Sequence, residues 1–284
     1  MTVRADEDKP LRNLYLWARR WPTWPIIRHL RCMQFRRLRP LRNGQPVPGT
    51  MSVVRYYWAK FLEQHRPDIR GHGLEIGTTE TILKYGGQAL TQADALDLTA
   101  HNPEVAVVAD LSRADHVPAD TYDCFIIQFT MTVIYDVEAA LYHAIRILKP
   151  GGVLLVNFAC VDYYLHRGLD MGTGAPLYMY WWFTPIQVAN TLQRLGLAET
   201  DYQLVVCGNL FTRLAFQMNL PAEELTQEEL DFADPGQPLL ICARIVKSVH
   251  WQAAKPEYRD PVWIPKVTPA RMSPVTGHYG DEYV

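Results

Sequence analysis

At 284 residues and 48% hydrophobic, the chain can bury one large core with appended ends, and it is too short for two equal domains of that kind. A formal net charge of -2 excludes a uniformly basic or acidic molecule, yet residues 1 to 44 carry eleven Lys and Arg against three acidic residues. The basic character is therefore local to the N-terminus. The five cysteines, Cys32, Cys124, Cys160, Cys207 and Cys242, form no CxxC pair, which excludes a zinc ribbon or disulfide framework; free thiols, a reducing cytoplasm and no bound metal are expected. No apolar run reaches the ~18 residues of a membrane span, and the charged, proline-interrupted start lacks a signal-peptide core.

Residues 11 to 40 mix Leu, Trp, Ile and Phe with Arg at helical spacing and are broken by Pro22 and Pro25, which predicts two short amphipathic helices. A Pro/Gly-rich stretch, 40 to 49, leads to a further helix, Val53 to Gln64. With these helices, residues 1–70 are expected to form an N-terminal helical cap. After Gly71, short apolar runs alternate with helical patterns, as in stacked βαβ units. Strands are predicted at Gly73 to Ile76, Ala93 to Leu98, Val105 to Ala109, Cys124 to Phe129 and Val153 to Phe158. The segment Val137 to Leu148 puts Val137, Ala140, Leu141, Ile145 and Leu148 on one helix face, and Lys149-Pro150-Gly151-Gly152 should stop it.

A helix starting at Pro185 should run to Leu195-Gly196. Strands follow at Gln203 to Cys207 and Leu239 to Val246, with a capping box, Thr226-Gln227-Glu228-Glu229, opening a short helix between them. The expectation is an α/β fold with a Rossmann-like, seven-stranded, mostly parallel sheet over 71–247. From 248 to 284 the chain is Pro-, Tyr- and Trp-rich without periodicity, and an irregular tail is expected.

Ligands of open parallel sheets bind beyond the carboxyl ends of the strands. Those ends read Leu74-Glu75-Ile76-Gly77-Thr78-Thr79, Leu96-Asp97-Leu98, Ala109-Asp110-Leu111 and Ile127-Gln128-Phe129-Thr130. Asp97 lies twenty residues after Gly77, the interval at which a carboxylate ending the second strand reaches the ribose hydroxyls of a nucleotide. Asp94 lies on the same strand but too early to project from its end.

The segments Leu74-Glu75-Ile76-Gly77, Ala109-Asp110-Leu111, Asp123-Cys124-Phe125-Ile126-Ile127 and Ile147-Leu148-Lys149-Pro150-Gly151-Gly152 resemble the serial motifs of class I S-adenosylmethionine-dependent methyltransferases. Within that superfamily, Arg55-Tyr56-Tyr57 and Tyr180-Trp181-Trp182-Phe183-Thr184 look like motifs of bacterial methyltransferases found beside glycosyltransferases. The resemblance implies S-adenosylmethionine as cofactor. It would pair the cofactor's ammonium with Glu75, let backbone approach at Gly77 and Thr78, and hold the ribose on Asp97. The adenine would meet Asp110 and the Leu111 amide, and Gln128 and Phe129 would lie under the transferable methyl. Arg55 or Tyr56 would face the methionine end beneath a cap formed by residues 11 to 64.

Two departures stand out. The first loop, Gly77 to Tyr85, has Thr78, Thr79 and Thr81 where the usual motif has further glycines, and Trp182 stands where the resembled motif has arginine.

Methyl transfer needs alignment of donor and acceptor more than side-chain chemistry, although a hydroxyl acceptor profits from a general base. The loop after the fifth strand offers His166 first, for its titration range, and Asp162 next. His143 sits mid-helix and reads as a packing residue, while His101 and His116 lie in loops on the adenine side. Tyr163, Tyr164, Tyr178, Tyr180, Trp181, Trp182 and Phe183 could wall an apolar acceptor pocket or pack as a lid.

The leading expectation is transfer to a hydroxyl of a small molecule, a secondary metabolite or sugar. The alternative is a methyltransferase-fold protein that binds the cofactor but catalyses another reaction or scaffolds a partner. Nucleic-acid modification fits less well, because no Asn/Asp-Pro-Pro-Tyr/Phe motif follows the fourth strand, and the N-terminal Trp and Leu content suits docking or a homodimer.

Overall fold

A computed structural model describes residues 50–161, 169–170 and 176–261, the side chains of 169, 170, 176 and 177 excepted. All of these fall in a compact unit that begins at Arg42. The predicted helices of residues 11 to 40, and residues 262–284 of the predicted tail, lie outside the described residues.

In chain order the elements are α1 (Val53–Gln64), β1 (Gly71–Ile76), α2 (Glu80–Gly86), β2 (Leu90–Asp97), β3 (Val105–Val108), β4 (Tyr122–Ile127) and α3 (Val137–Ile147). They continue with β5 (Leu148–Ala159), β6 (Leu169–Asp170), β7 (Pro176–Leu177), α4 (Pro185–Arg194), β8 (Tyr202–Cys207), α5 (Leu210–Gln217), α6 (Gln227–Asp231) and β9 (Leu240–Val246). Seven strands form one sheet in the order β3-β2-β1-β4-β5-β9-β8, and β6 and β7 pair by themselves. β1 to β5 run parallel, while β9 is antiparallel to both β5 and β8. The fold is thus the expected mostly parallel α/β sheet.

Strands covered on both faces need no alternation of polar and apolar residues. In β4, Cys124, Phe125, Ile126 and Ile127 are all fully buried, as are Leu154, Leu155 and Val156 of β5. One core lies between the sheet and α3 and α4, around Phe125, Leu141, Phe158 and Leu192. The other lies on the opposite face, around Tyr57, Trp58, Phe61, Ile126 and Leu155. Helix α1 belongs to that second core: Val53, Tyr57, Trp58, Phe61 and Leu62 form its buried stripe. It is fastened there by the Tyr57 hydroxyl donating to the Leu230 carbonyl at 2.8 Å. Behind it, Arg244 of β9 grips both carboxylate oxygens of Asp68 at 2.8 Å.

Several boundaries differ from expectation for physical reasons. The segment read as a loop from Gly77 to Tyr85 contains α2, whose Ile82 and Tyr85 are buried. Lys149 to Gly152 opens β5 instead of forming a separate stop, because Leu148 pairs directly with Tyr122. Strand β4 ends before Phe129, which takes φ 53, a left-handed conformation that breaks a ladder. The excursion before β9 carries a second helix, α5, capped by Asn209, whose side chain accepts from the Thr212 amide. Residues 248–261 hold no helix or strand but pack on the domain, with the Trp251 indole donating to the Leu195 carbonyl at 2.8 Å.

Candidate functional site

The carboxyl ends of β1, β2, β3 and β4 lie side by side, because these strands are neighbours and parallel. At the first of them the chain must turn sharply from strand to helix, and Gly77 does so at φ 82, where a side chain would be strained. A Cβ built there would meet only the Asp97 Oδ2 atom, at 3.6 Å. The turn is thus an open surface faced by one carboxylate. Its backbone is pinned by the Gly77 amide donating to the Leu96 carbonyl at 2.9 Å and by Asn102 Nδ2 donating to the Gly77 carbonyl.

Asp97, the last residue of β2, uses Oδ1 to accept from the Leu98 amide at 2.6 Å, and His101 Nδ1 lies 3.7 Å from its Oδ2. Asp110 follows β3, is exposed, and accepts from the amide and hydroxyl of Ser112 through Oδ1, while Leu111 beside it is buried. Asp97 and Asp110 therefore stand at adjacent strand ends, next to a glycine turn. This arrangement fits a nucleoside whose hydroxyls and amino group need acceptors.

Glu75 and Gln128, expected to face the cofactor, are turned inward. Glu75 is fully buried; its Oε2 accepts from the Ile82 amide at 2.8 Å and its Oε1 from Gln128 Nε2 at 2.8 Å. Burial pushes its carboxyl up to about 7, against the lowering pull of the Ile82 and Thr81 hydrogen bonds. With both oxygens engaged, this carboxylate is not presented to a ligand's ammonium. Gln128 Nε2 also donates to Thr81 Oγ1 at 2.9 Å, and its Oε1 accepts from the Trp58 indole at 3.1 Å. The threonines that replace glycines have work of their own: the Thr79 amide and hydroxyl both donate to Glu104 Oε2 at 3.0 Å, and Thr78 Oγ1 accepts from the Glu80 amide at 3.3 Å.

Phe129 is held at the end of β4 by its amide donating to Asn157 Oδ1 at 2.8 Å. The Arg55 guanidinium lies 5.4 Å from its ring centroid, a cation–π approach. Tyr56, the other residue expected there, instead accepts from Gln227 of α6 through its hydroxyl. Trp58, Glu104 and Asn157 were not singled out in the sequence. All three gain their partners across the fold, Trp58 from Gln128, Glu104 from Thr79 and Asn157 from Phe129, so no local pattern marked them.

On the other side of β4, backbone bonds place residues 180 to 183 between the loop after β4 and the end of β5: the Tyr180 amide donates to Thr132 and the Phe183 amide to Ala159. Tyr180 meets Tyr135 edge-on at 5.2 Å and Tyr178 at 6.4 Å. The Trp181 indole donates to the carbonyls of Ile134 and Tyr135, Phe183 is buried against Phe158, and Trp182 is half exposed. A cavity of about 260 Å³ opens beneath Trp181, between α3 and α4. Among the predicted residues, Asp162, Tyr163, Tyr164 and His166 lie outside the described residues. His143 is a packing residue as expected, buried, with its ring held well toward neutrality at about 4 by that burial.

No helix among the described residues is long and apolar enough to cross a membrane, and no group of three or more metal-ligating side chains occurs among them. No curated protein matches the chain. Similar solved structures include the YcgJ protein of Bacillus subtilis, at 15% identity over 68% of this chain and 99% of that one, with a TM-score of 0.39. Another is an S-adenosylmethionine-dependent methyltransferase of Mesorhizobium loti, at 15% identity over 66% and 96%, TM-score 0.43. A third is a SAM-dependent methyltransferase of Archaeoglobus fulgidus, at 13% identity over 68% and 94%, TM-score 0.40. The family described as Methyltransferase domain matches residues 76–156, which run from the last residue of β1 into β5 and include Gly77, Asp97, Asp110 and Phe129. The chain thus carries a methyltransferase domain, and it is an enzyme of the methyltransferase class with S-adenosylmethionine as its cofactor.

Proposed function

We propose that the enzyme methylates a hydroxyl of a small, largely uncharged and partly apolar acceptor, a sugar or secondary metabolite. The observation that carries this reading is the aromatic edge of Tyr135, Tyr178, Tyr180 and Trp181, set between the loop after β4 and the end of β5. Rings with hydroxyl and indole tips suit an apolar body bearing a few polar groups. The two arginines that line the cavity beneath Trp181, Arg194 and Arg259, both face Glu138, so a phosphorylated acceptor would leave water without a free counter-charge among the described residues, which costs several kcal/mol. The likeness of Tyr180 to Thr184 to motifs of methyltransferases found beside glycosyltransferases supports a sugar-bearing acceptor.

S-adenosylmethionine supplies a methyl group already activated on a sulfonium. In this reading Asp97 accepts from the ribose hydroxyls, Asp110 and the Leu111 amide meet the adenine, and Gly77 and Thr78 let backbone come close. Phe129, fixed by Asn157, walls the methionine end with Arg55. The acceptor oxygen takes the methyl while its proton passes to a base, His166 first and Asp162 next, in the loop that follows β5. The same reading takes the acceptor to be a small molecule and not nucleic acid, and the location to be cytoplasmic. It keeps pairing of two copies through the basic N-terminal segment as its expected assembly.

The test is an intact-mass screen of uncharged alcohols, glycosides and phosphorylated analogues with the cofactor. Addition of one methyl to an uncharged hydroxyl compound is expected, and His166→Ala should lose about 10² to 10⁴ in that rate with cofactor affinity unchanged. A preferred phosphate-bearing acceptor would overturn the reading.

A further inference from the structure

We propose that Trp58 is a positioning residue for the cofactor: its indole N–H locks the Gln128 carboxamide, and Gln128 in turn fixes Glu75 and Thr81, which shape the turn between β1 and α2. The inference rests on the reading above that the cofactor lies across the ends of β1 and β2. It gives Trp58 of α1 a part in the cofactor site without that side chain touching the ligand.

A carboxamide has two ends that look alike in shape and opposite in hydrogen bonding, so its orientation must be dictated by its neighbours. Around Gln128 every neighbour agrees. Nε2 donates to Glu75 Oε1 at 2.8 Å and to Thr81 Oγ1 at 2.9 Å, and Oε1 accepts from Trp58 Nε1 at 3.1 Å. Turning the amide over would set an oxygen against the Glu75 carboxylate and an N–H₂ against the indole N–H, two repulsions in place of three bonds. Glu75 is equally committed, since Oε2 takes the Ile82 amide. One run of hydrogen bonds therefore passes from α1 to the end of β4, to the end of β1, and into the first turns of α2.

The indole itself cannot drift. Trp58 is 3% exposed, its ring stacks on Phe61 at 5.4 Å, and its helix is fastened by Tyr57 to Leu230. The glycines that usually give this turn its form are replaced by Thr78, Thr79 and Thr81, so the turn depends on side-chain bonds for its position. Glu75 is flanked in the sheet by Ala95 and Ile126, which do not titrate. The charged neighbour acting on it is Glu80 in the first turn of α2, which also favours its neutral form. α1 and the end of β4 bring Trp58 and Gln128, neither of which titrates, and α1 also brings the Arg55 guanidinium over the Phe129 ring, which stays charged throughout this pH range. A pH effect on cofactor affinity that depends on Trp58 therefore reports on Glu75 through Gln128.

The experiment measures S-adenosylhomocysteine affinity by calorimetry from pH 5.5 to 8.5 on the full chain. The variants are Trp58→Phe, Trp58→benzothienylalanine (the indole's shape without its N–H), Gln128→Met, each double variant with Gln128→Met, and Asp97→Ala. Benzothienylalanine keeps the packing, so it remains informative if Trp58→Phe folds poorly. Loss of the indole N–H is expected to weaken affinity about five- to tenfold. It should move the midpoint of the pH profile up by roughly half a unit, because the carboxylate loses a firmly held donor. In the Gln128→Met background the same change should cost less than about twofold. Unchanged affinity on loss of the N–H, or an equal cost in both backgrounds, overturns the relay while Asp97→Ala still weakens binding by about tenfold or more. If Asp97→Ala binds like the parent, the placement of the cofactor itself fails, and the relay fails with it.

Discussion

Two buried carboxylates sit one register step apart in neighbouring parallel strands, Asp94 beside Leu74 and Glu75 beside Ala95, so that alternation turns them to opposite faces of the sheet. Asp94 of β2 reaches back to residues that open their strands, accepting from Tyr122 of β4 at 3.2 Å and facing His72 of β1 at 2.7 Å. Near the carboxyl ends, Glu75 of β1 is met by Gln128, after β4, and by the amide of Ile82, in α2. Asp94 takes its ring partners from strands, whose spacing the ladder fixes. Glu75 takes part of its set from a turn and a helix, and through Gln128 from α1. The difference is one between bracing a sheet and shaping a ligand turn, and the usual position of function at the carboxyl edge of such sheets follows from it.

The sharpest test of this contrast is pH. Burial raises Glu75 to about 7 in the folded chain, so its contribution to stability is fully present below the unfolded value of about 4.5 and is lost as pH rises through about 7. Unliganded enzyme should lose up to about 3 kcal/mol on this account between pH 4.5 and 8. In Glu75→Gln that part of the slope should vanish in chemical denaturation, and affinity for S-adenosylhomocysteine should become flat with pH. An unaltered slope would show that the carboxyl is not the titrating group.

Next in size, Asp94→Ala removes the acceptor shared by His72 and Tyr122. It should cost about 2 kcal/mol, a fall of roughly 4 to 8 °C in Tm, while cofactor affinity stays within about twofold. A large loss of affinity at unchanged Tm would erase the distinction between the two carboxylates. The smallest effect is expected from Thr79→Val, which removes one of two donors to Glu104. Affinity should fall about twofold, with Tm changed by under about 2 °C.

Much of the sheet was legible because buried parallel strands announce themselves as apolar runs, as Cys124 to Ile127 and Val153 to Phe158 do. α3 was legible from its stripe and α1 from the breaks on either side of it, each matched within a residue at each end. What was hidden depends on partners far along the chain. Nothing local to Glu75 says that its oxygens will be claimed by Gln128, 53 positions later, and the same holds for Thr79 with Glu104. α2 was masked by its threonine-rich start, and α5 by the short apolar pattern between Asn209 and Met218. At the candidate site, residue types were readable and directions were not: Asp97 and Asp110 lie at the open edge, whereas Glu75, Gln128 and Tyr56 spend their polar atoms within the protein.

The position of β9 sets an order on how this protein can be made. Among the described residues it is the last strand in chain order, yet it lies between β5 and β8 and pairs with both. As the chain leaves the ribosome, β1 to β5 can assemble, but β8 has no neighbour to join until residues 240–246 emerge. The nascent sheet must therefore wait with an apolar edge at β5 uncovered, and closure of the domain is confined to the time after residues 240–246 have emerged. A ribosome-stalled chain ending near residue 235 should be captured by chaperones, and extension past Val246 until that strand has cleared the exit tunnel should end that capture.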